Sequence, residues 1–193
     1  MARKKYEFKP DKITLSVLHK LYLTKQQRQT ILRWTLYGLV LLVVSLLQDV
    51  ILCHMDVFGA TTDLVPCTIF LTCMLLGVQK GCLYALISAA LFQFSGSGPG
   101  YHAIALITIL CIFGTMVRET WLRKSFGSSL LCAGGCHVLY ELIVFFVGMV
   151  LGQTTFARFG TALATGLMSL LGIPLLYPVL RAIERIGGET WKD

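Results

Sequence analysis

Long apolar runs govern what this chain can become. Residues 31–53, 128–152 and 159–181 each hold more than twenty positions with almost no charge. At 1.5 Å of rise per residue, a helix of about 22 residues spans ~33 Å, enough to cross the hydrocarbon layer of a bilayer. Backbone groups in that layer find no water, so a crossing segment must bond to itself as a helix or close into a barrel. Hydrophobic residues make up 55% of the chain and charged residues 14%. That is too little charge to clothe a soluble domain of 193 residues, and lipid removes the need for it.

The breaks between the runs predict six spans: 31–53, 64–78, 82–94, 101–117, 128–152 and 159–181. Gly77 to Gly81 reads as a tight turn, Ser95 to Gly100 as the strongest breaker, and Arg118 to Lys124 as a charged loop. Pro66 falls in the first turn of span two, where a missing N–H costs little. The expected organisation is a basic cytoplasmic segment at 1–30, an all-α transmembrane domain at 31–182 and a cytoplasmic tail at 183–193. Within the first segment Ile13, Val17, Leu18 and Leu21 fall near helical spacing. Such a stretch suits either an amphipathic helix on the inner leaflet or a solvated basic tail. The long polar lead-in predicts that span one is retained as a helix rather than cleaved as a signal peptide.

Charge sets the orientation. The formal net charge of +7 sits almost wholly in the first 33 residues, which hold nine Lys and Arg against Glu7 and Asp11. A basic stretch before an apolar run matches a segment facing cytoplasmic headgroups, not a nucleic-acid surface. With six spans, sixteen of the seventeen Lys and Arg fall on the cytoplasmic side, and only Arg158 falls outside. Merging 64–94 into one span would bury Lys80 and invert the later loops. The seven cysteines are odd in number, lack a CxxC pair and lie mostly in apolar runs. They read as small hydrophobes rather than a disulfide framework.

Ionisable groups in lipid are costly and have a reason. Glu141 lies near the middle of span five, with His137 four residues before it on the same helix face and Tyr140 beside it. This trio suits a proton relay, a metal site extended by Cys132 and Cys136, or an interhelical hydrogen-bond cluster. Cys132 and Glu141 point to opposite sides of an ideal helix, which disfavours the metal. Gln48 and Asp49 lie near the outer end of span one, and Gln93 and Ser95 end span three. Arg158 could pair with Asp56 or Asp63, or face headgroups. Gly148 and Gly152 form a GxxxG, and small residues continue through span six, permitting close helix contact. No GxSxG, HExxH or Walker loop occurs.

Several landmarks recur in an order that matches a known family. Gln48 stands near the end of span one, and Asp63-Leu64 opens span two. Gly77 and Gly81 flank a tight turn, and Ser95-Gly96 and Gly100 fill the loop after span three. Tyr140-Glu141 lies in span five. Pro174, Tyr177 and Pro178 precede Arg181 and Arg185 at the exit. In this order, over roughly residues 35–185, the chain resembles the rod shape-determining protein MreD family. It departs from the family where Gln93 replaces an acid, where Pro66 is displaced, and in a longer basic N-terminus.

The resemblance implies a six-helix bundle similar to the substrate-binding subunits of energy-coupling-factor transporters. It implies no enzyme activity and no cofactor. The expected role is a scaffold in the bacterial inner membrane, with both termini cytoplasmic. Its expected partners are an MreC-like bitopic protein, the peptidoglycan polymerase and transpeptidase of cell-wall elongation, MreB indirectly, and membrane lipids. The alternative the shared architecture raises is a vitamin-type transporter subunit, although span one carries little of the small-residue ridge expected for docking such a transporter.

Overall fold

The computed structural model describes residues 25–54, 61–96, 98–122 and 125–186. The expected amphipathic helix near the N-terminus, Asp56, Arg123, Lys124 and the tail beyond Ile186 lie outside these residues. Among the described residues the protein is all helix: α1 Lys25–Val50, α2 Leu64–Leu76, α3 Val78–Phe94, α4 His102–Trp121, α5 Phe126–Val150, α6 Phe159–Leu170 and α7 Gly172–Arg185. Short 3-10 turns occupy Leu52–His54 and Phe156–Arg158. Four helical stretches are long and apolar enough to cross a membrane: Gln27–Val50, His102–Trp121, Phe126–Val150 and Phe156–Arg185.

The two remaining helices are shorter. The 13 residues of α2 reach only ~20 Å, and the 17 of α3 ~26 Å. Expected spans two and three are thus an antiparallel hairpin of two short helices, one of them too short to cross alone. The turn between them is a single residue. Gly77 takes φ 81°, a left-handed conformation that glycine adopts without a Cβ penalty. The helix resumes at Val78, so the expected turn from Gly77 to Gly81 is mostly the first turn of α3. Gly81 then packs on the backbone of α2, where a Cβ would stand 2.9 Å from the Cys73 carbonyl oxygen.

Helix α2 is the axis of the bundle. Every side chain from Val65 to Leu76 is buried, and α2 touches all six other helices. A helix apolar all round requires such a position. The others turn one face inward and leave residues such as Leu42, Leu91, Ile109 and Leu131 exposed, as lipid-facing surfaces do. Glycines allow the close approaches. A Cβ at Gly114 would strike Met74 and Cys136, one at Gly134 would lie 3.0 Å from Leu170, and one at Gly172 would strike Leu64. The GxxxG of the sequence does not serve this purpose. Gly148 faces Thr154 in the following loop, and Gly152 (φ 70°) ends α5 in a left-handed turn.

Other boundaries moved for local reasons. Helix α5 starts at Phe126 because Ser125 and Ser128 form a reciprocal capping box, each hydroxyl accepting from the other's N–H at 3.2 Å. The expected sixth span breaks after Leu170. Pro174 cannot donate to the Leu170 carbonyl and its ring crowds that group, which interrupts the helix. Helix α4 runs through Trp121, so Arg118 and Glu119 belong to its last turn rather than to a loop.

Contacts gather the basic residues at one end. Arg33 stacks on Tyr37 at 5.8 Å, and Tyr37 meets Tyr84 of α3, four residues on from Lys80 in the same helix. Arg118 donates to the Met74 carbonyl at the end of α2. Arg181 stacks on Tyr177, which packs edge-on against Phe126 at the start of α5, with centroids 4.5 Å apart. Arg158 lies at the opposite end, exposed, between α5 and α6. Gly81→Ala is expected to destabilise the protein by ~1–3 kcal/mol, because its methyl meets backbone that cannot yield. Gly38→Ala, where nothing lies within 4 Å, is expected to be neutral or slightly stabilising. Unfolding in mixed micelles compares the two.

Candidate functional site: a polar cavity above a buried helix end

The first turn of any helix leaves backbone N–H groups without intrahelical partners. In α2 these groups lie inside the bundle, beside Ser169, ten residues into the stretch that begins at Phe159. Other helices satisfy them. Gln48 of α1 accepts from Leu64 N and Val65 N through Oε1, both at 2.9 Å. Its Nε2 donates to Asp63 Oδ1 at 2.8 Å. The Asp63 N–H donates to Ser169 Oγ at 2.8 Å, and the Cys67 thiol donates to the Ser169 carbonyl. One glutamine therefore caps α2 in trans and fixes the carboxylate beside it. Asp63 itself makes no side-chain cap.

The other end of α2 is closed in the same manner. The last carbonyls of a helix carry partial negative charge, and the Arg118 guanidinium bonds the Met74 oxygen. Glu119 Oε1 accepts from Val78 N at 3.3 Å, placing an anion at the N-terminus of α3. Both residues were expected to sit in a loop, and only the extra helical turn of α4 brings them here.

Above the capped end of α2 opens a cavity of about 560 Å³, lined among others by Gln48, Asp49, Asp63, Gly96, Tyr140, Glu141 and Thr165. A second cavity of about 300 Å³ adjoins it, sharing Pro99, Glu141 and Val144 and adding His102, Gln153 and Thr154. Glu141 thus borders both. Its stem packs toward Gly166 of α6, where a Cβ would lie 3.6 Å from Glu141 Cγ. His137 Nε2 stands 3.8 Å from Glu141 Oε1, beyond hydrogen-bond range. His137 is fully buried, and Phe70 packs edge-on against both His137 and Tyr140. Both His137 ring nitrogens, the Tyr140 hydroxyl and Glu141 Oε1 are buried without a hydrogen-bond partner among the described residues.

Six of the expected site residues thus meet at one cavity: Gln48, Asp49, Asp63, Gly96, Tyr140 and Glu141, with His137 behind them. Gln93, Ser95 and Gly100 shape the α3–α4 connection. Gln93 Oε1 accepts from Gly100 N at 3.3 Å, and Ser95 Oγ donates to the Phe92 carbonyl. Gly96 (φ 82°) and Gly100 (φ 141°) supply the turn. Pro174 lines an apolar groove of about 790 Å³ between α5 and the α6–α7 break, and Tyr177 and Arg181 lie at the basic end. Asp63 bonds Gln48, and no ion pair joins it to Arg158. Cys132 and Cys136 do not join the cavity. The Cys136 thiol donates to the Leu110 carbonyl, and among the described residues no group of three His, Cys, Asp or Glu could hold a metal ion.

Thr61, Thr62, Pro99, Thr165 and Ser169 also belong to the site. Isolated threonines, serines and prolines carry no periodic signal that would have singled them out. Comparison with protein-family models, curated proteins and solved structures finds no match.

Gln48→Leu keeps much of the side-chain volume but strips partners from two backbone N–H groups and one carboxylate. It is expected to cost ~2–4 kcal/mol, and Ser169→Ala ~1 kcal/mol. Unfolding in mixed micelles measures both, and equal stability of Gln48→Leu and wild type would contradict the trans-capping role.

Proposed function

We propose that this protein is a non-catalytic scaffold of bacterial cell elongation, of the MreD type. In this reading it lies in the inner membrane and binds an MreC-like bitopic protein. Together they couple MreB to the peptidoglycan polymerase and transpeptidase. The observation that carries the reading is the ordered set of landmarks from Gln48 to Arg185. Their roles in the fold lend support. Gln48 and Asp63 bond each other, Gly77 turns the α2–α3 hairpin and Gly81 lets α3 pack on α2, and Tyr140-Glu141 borders the cavity.

The proposed topology has six crossings with both termini cytoplasmic. Arg33, Arg118 and Arg181 gather at one end, which under the positive-inside rule supports a cytoplasmic placement of that end. Every other helix reaches α2, so a partner pressing on any outer face acts on one shared axis.

Affinity purification from the native host is expected to recover a single-span MreC-like protein, and depletion is expected to round the cells. Normal shape after depletion, with no such partner, sinks the reading. Glu141→Leu is expected to abolish complementation of the depleted strain while the protein still accumulates in the membrane. Full complementation would remove Glu141 from the functional set.

A further inference from the structure

An apolar groove of about 790 Å³ lies apart from the polar cavity, between α5 and the break that separates α6 from α7. Its walls are Gly, Leu, Val, Ile and Pro residues alone. Leu131 and Leu171 line it and are 70% and 71% exposed, so it opens to the outside of the bundle. A Cβ on Gly127 or Gly135 would meet nothing within 4 Å, so no described side chain fills the space beside them. Along α5 the lining runs from Gly127 to Leu142, which is ~22 Å of helix. One leaflet's hydrocarbon is only ~15 Å deep, so a lipid tail can lie against this wall for its whole length.

The groove begins at the basic end. Phe126, one residue before Gly127, meets Tyr177 edge-on, and Arg181 stacks on Tyr177. Arg181 follows Pro174 by two helical turns on the same face of α7. It is exposed, and among the described residues no carboxylate forms an ion pair with it. An apolar trough that ends at an exposed cation is complementary to an amphiphile with a negative headgroup. A partner helix matches it less well. Helix pairing in lipid uses polar side chains or small residues at four-residue spacing. Here no polar side chain lines the wall, and the two open glycines, Gly127 and Gly135, stand more than two turns apart. We propose that this groove holds an acyl chain of an anionic phospholipid, with the lipid phosphate at Arg181. The site depends only on the fold in lipid, so it stands or falls apart from the scaffold role.

The test uses the full chain, one copy per nanodisc, in phosphatidylcholine. Each disc carries a trace of phosphatidylglycerol or phosphatidylcholine bearing the same photoactivatable acyl chain, and adducts are mapped by mass spectrometry. Phosphatidylglycerol is expected to label residues 127–142 and 170–174 about five-fold more than phosphatidylcholine, the preference that one Arg gives an anionic headgroup. Labelling of the outer faces of α1 and α4, at Leu42 and Ile109, is expected to be equal for the two lipids. Arg181→Gln removes the excess by taking away the charge, and Gly135→Phe removes it by filling the groove. Both positions are exposed, and either variant decides the matter should the other not fold. Equal labelling of the groove by the two lipids overturns the proposal, as does an excess that persists in folded Arg181→Gln or Gly135→Phe. Loss of the excess in discs that hold two copies assigns the groove to a second copy of the chain and overturns it as well.

Discussion

A helix end buried inside a membrane protein must be closed by something other than water, and the rest of this structure is arranged around that need. Helix α2 begins deep in the bundle. Its first N–H groups go to Gln48, the N–H of Asp63 to Ser169, and the Met74 carbonyl at its far end to Arg118. Each partner comes from a different helix. The polar bonds therefore fix where α1, α4 and α6 stand relative to the axis, which packing of interchangeable apolar side chains would leave loose. In lipid the hydrophobic effect does not press helices together, so close packing and such bonds carry the specificity.

The same arrangement produces the cavity. Because α2 starts deep and α6 ends beside it, the volume above the capped end is left to polar side chains from α1, α5 and α6. Glycine removes bulk where helices must touch, at Gly114, Gly134 and Gly172. Glu141 is the hinge of the chemistry. It packs on Gly166, neighbours His137, and borders both cavities. A carboxyl group in such a place has a structural cost, and among the described residues neither Glu141 Oε1 nor the neighbouring Tyr140 hydroxyl finds a hydrogen-bond partner.

The interior cysteines follow the same economy of space. Cys67, Cys73 and Cys136 are buried free thiols, and each donates weakly to a backbone carbonyl of a neighbouring segment. They behave as small apolar side chains with one polar contact.

Hydropathy alone pointed to helices long and apolar enough to cross a membrane, and the described residues are helical as it required, because lipid leaves long apolar runs few ways to satisfy their backbone. It also marked Gln48, Tyr140 and Glu141, since polar residues in apolar surroundings stand out without any structure, whereas Asp63 drew notice only through the order of landmarks it shares with the resembled family. The i,i+4 spacing rightly placed His137 beside Glu141. Tertiary structure alone decided three things. Gly77 by itself turns the α2–α3 hairpin, because the left-handed conformation needs one residue and not five. Arg118 and Glu119 cap other helices, because α4 continues into what reads as a charged loop. Gly148 and Gly152 make no helix crossing, because Gly152 ends its helix. Each outcome depends on which backbone group lies opposite a residue in space. Sequence spacing encodes the face of one helix, and the partner across the gap is set only when the helices pack.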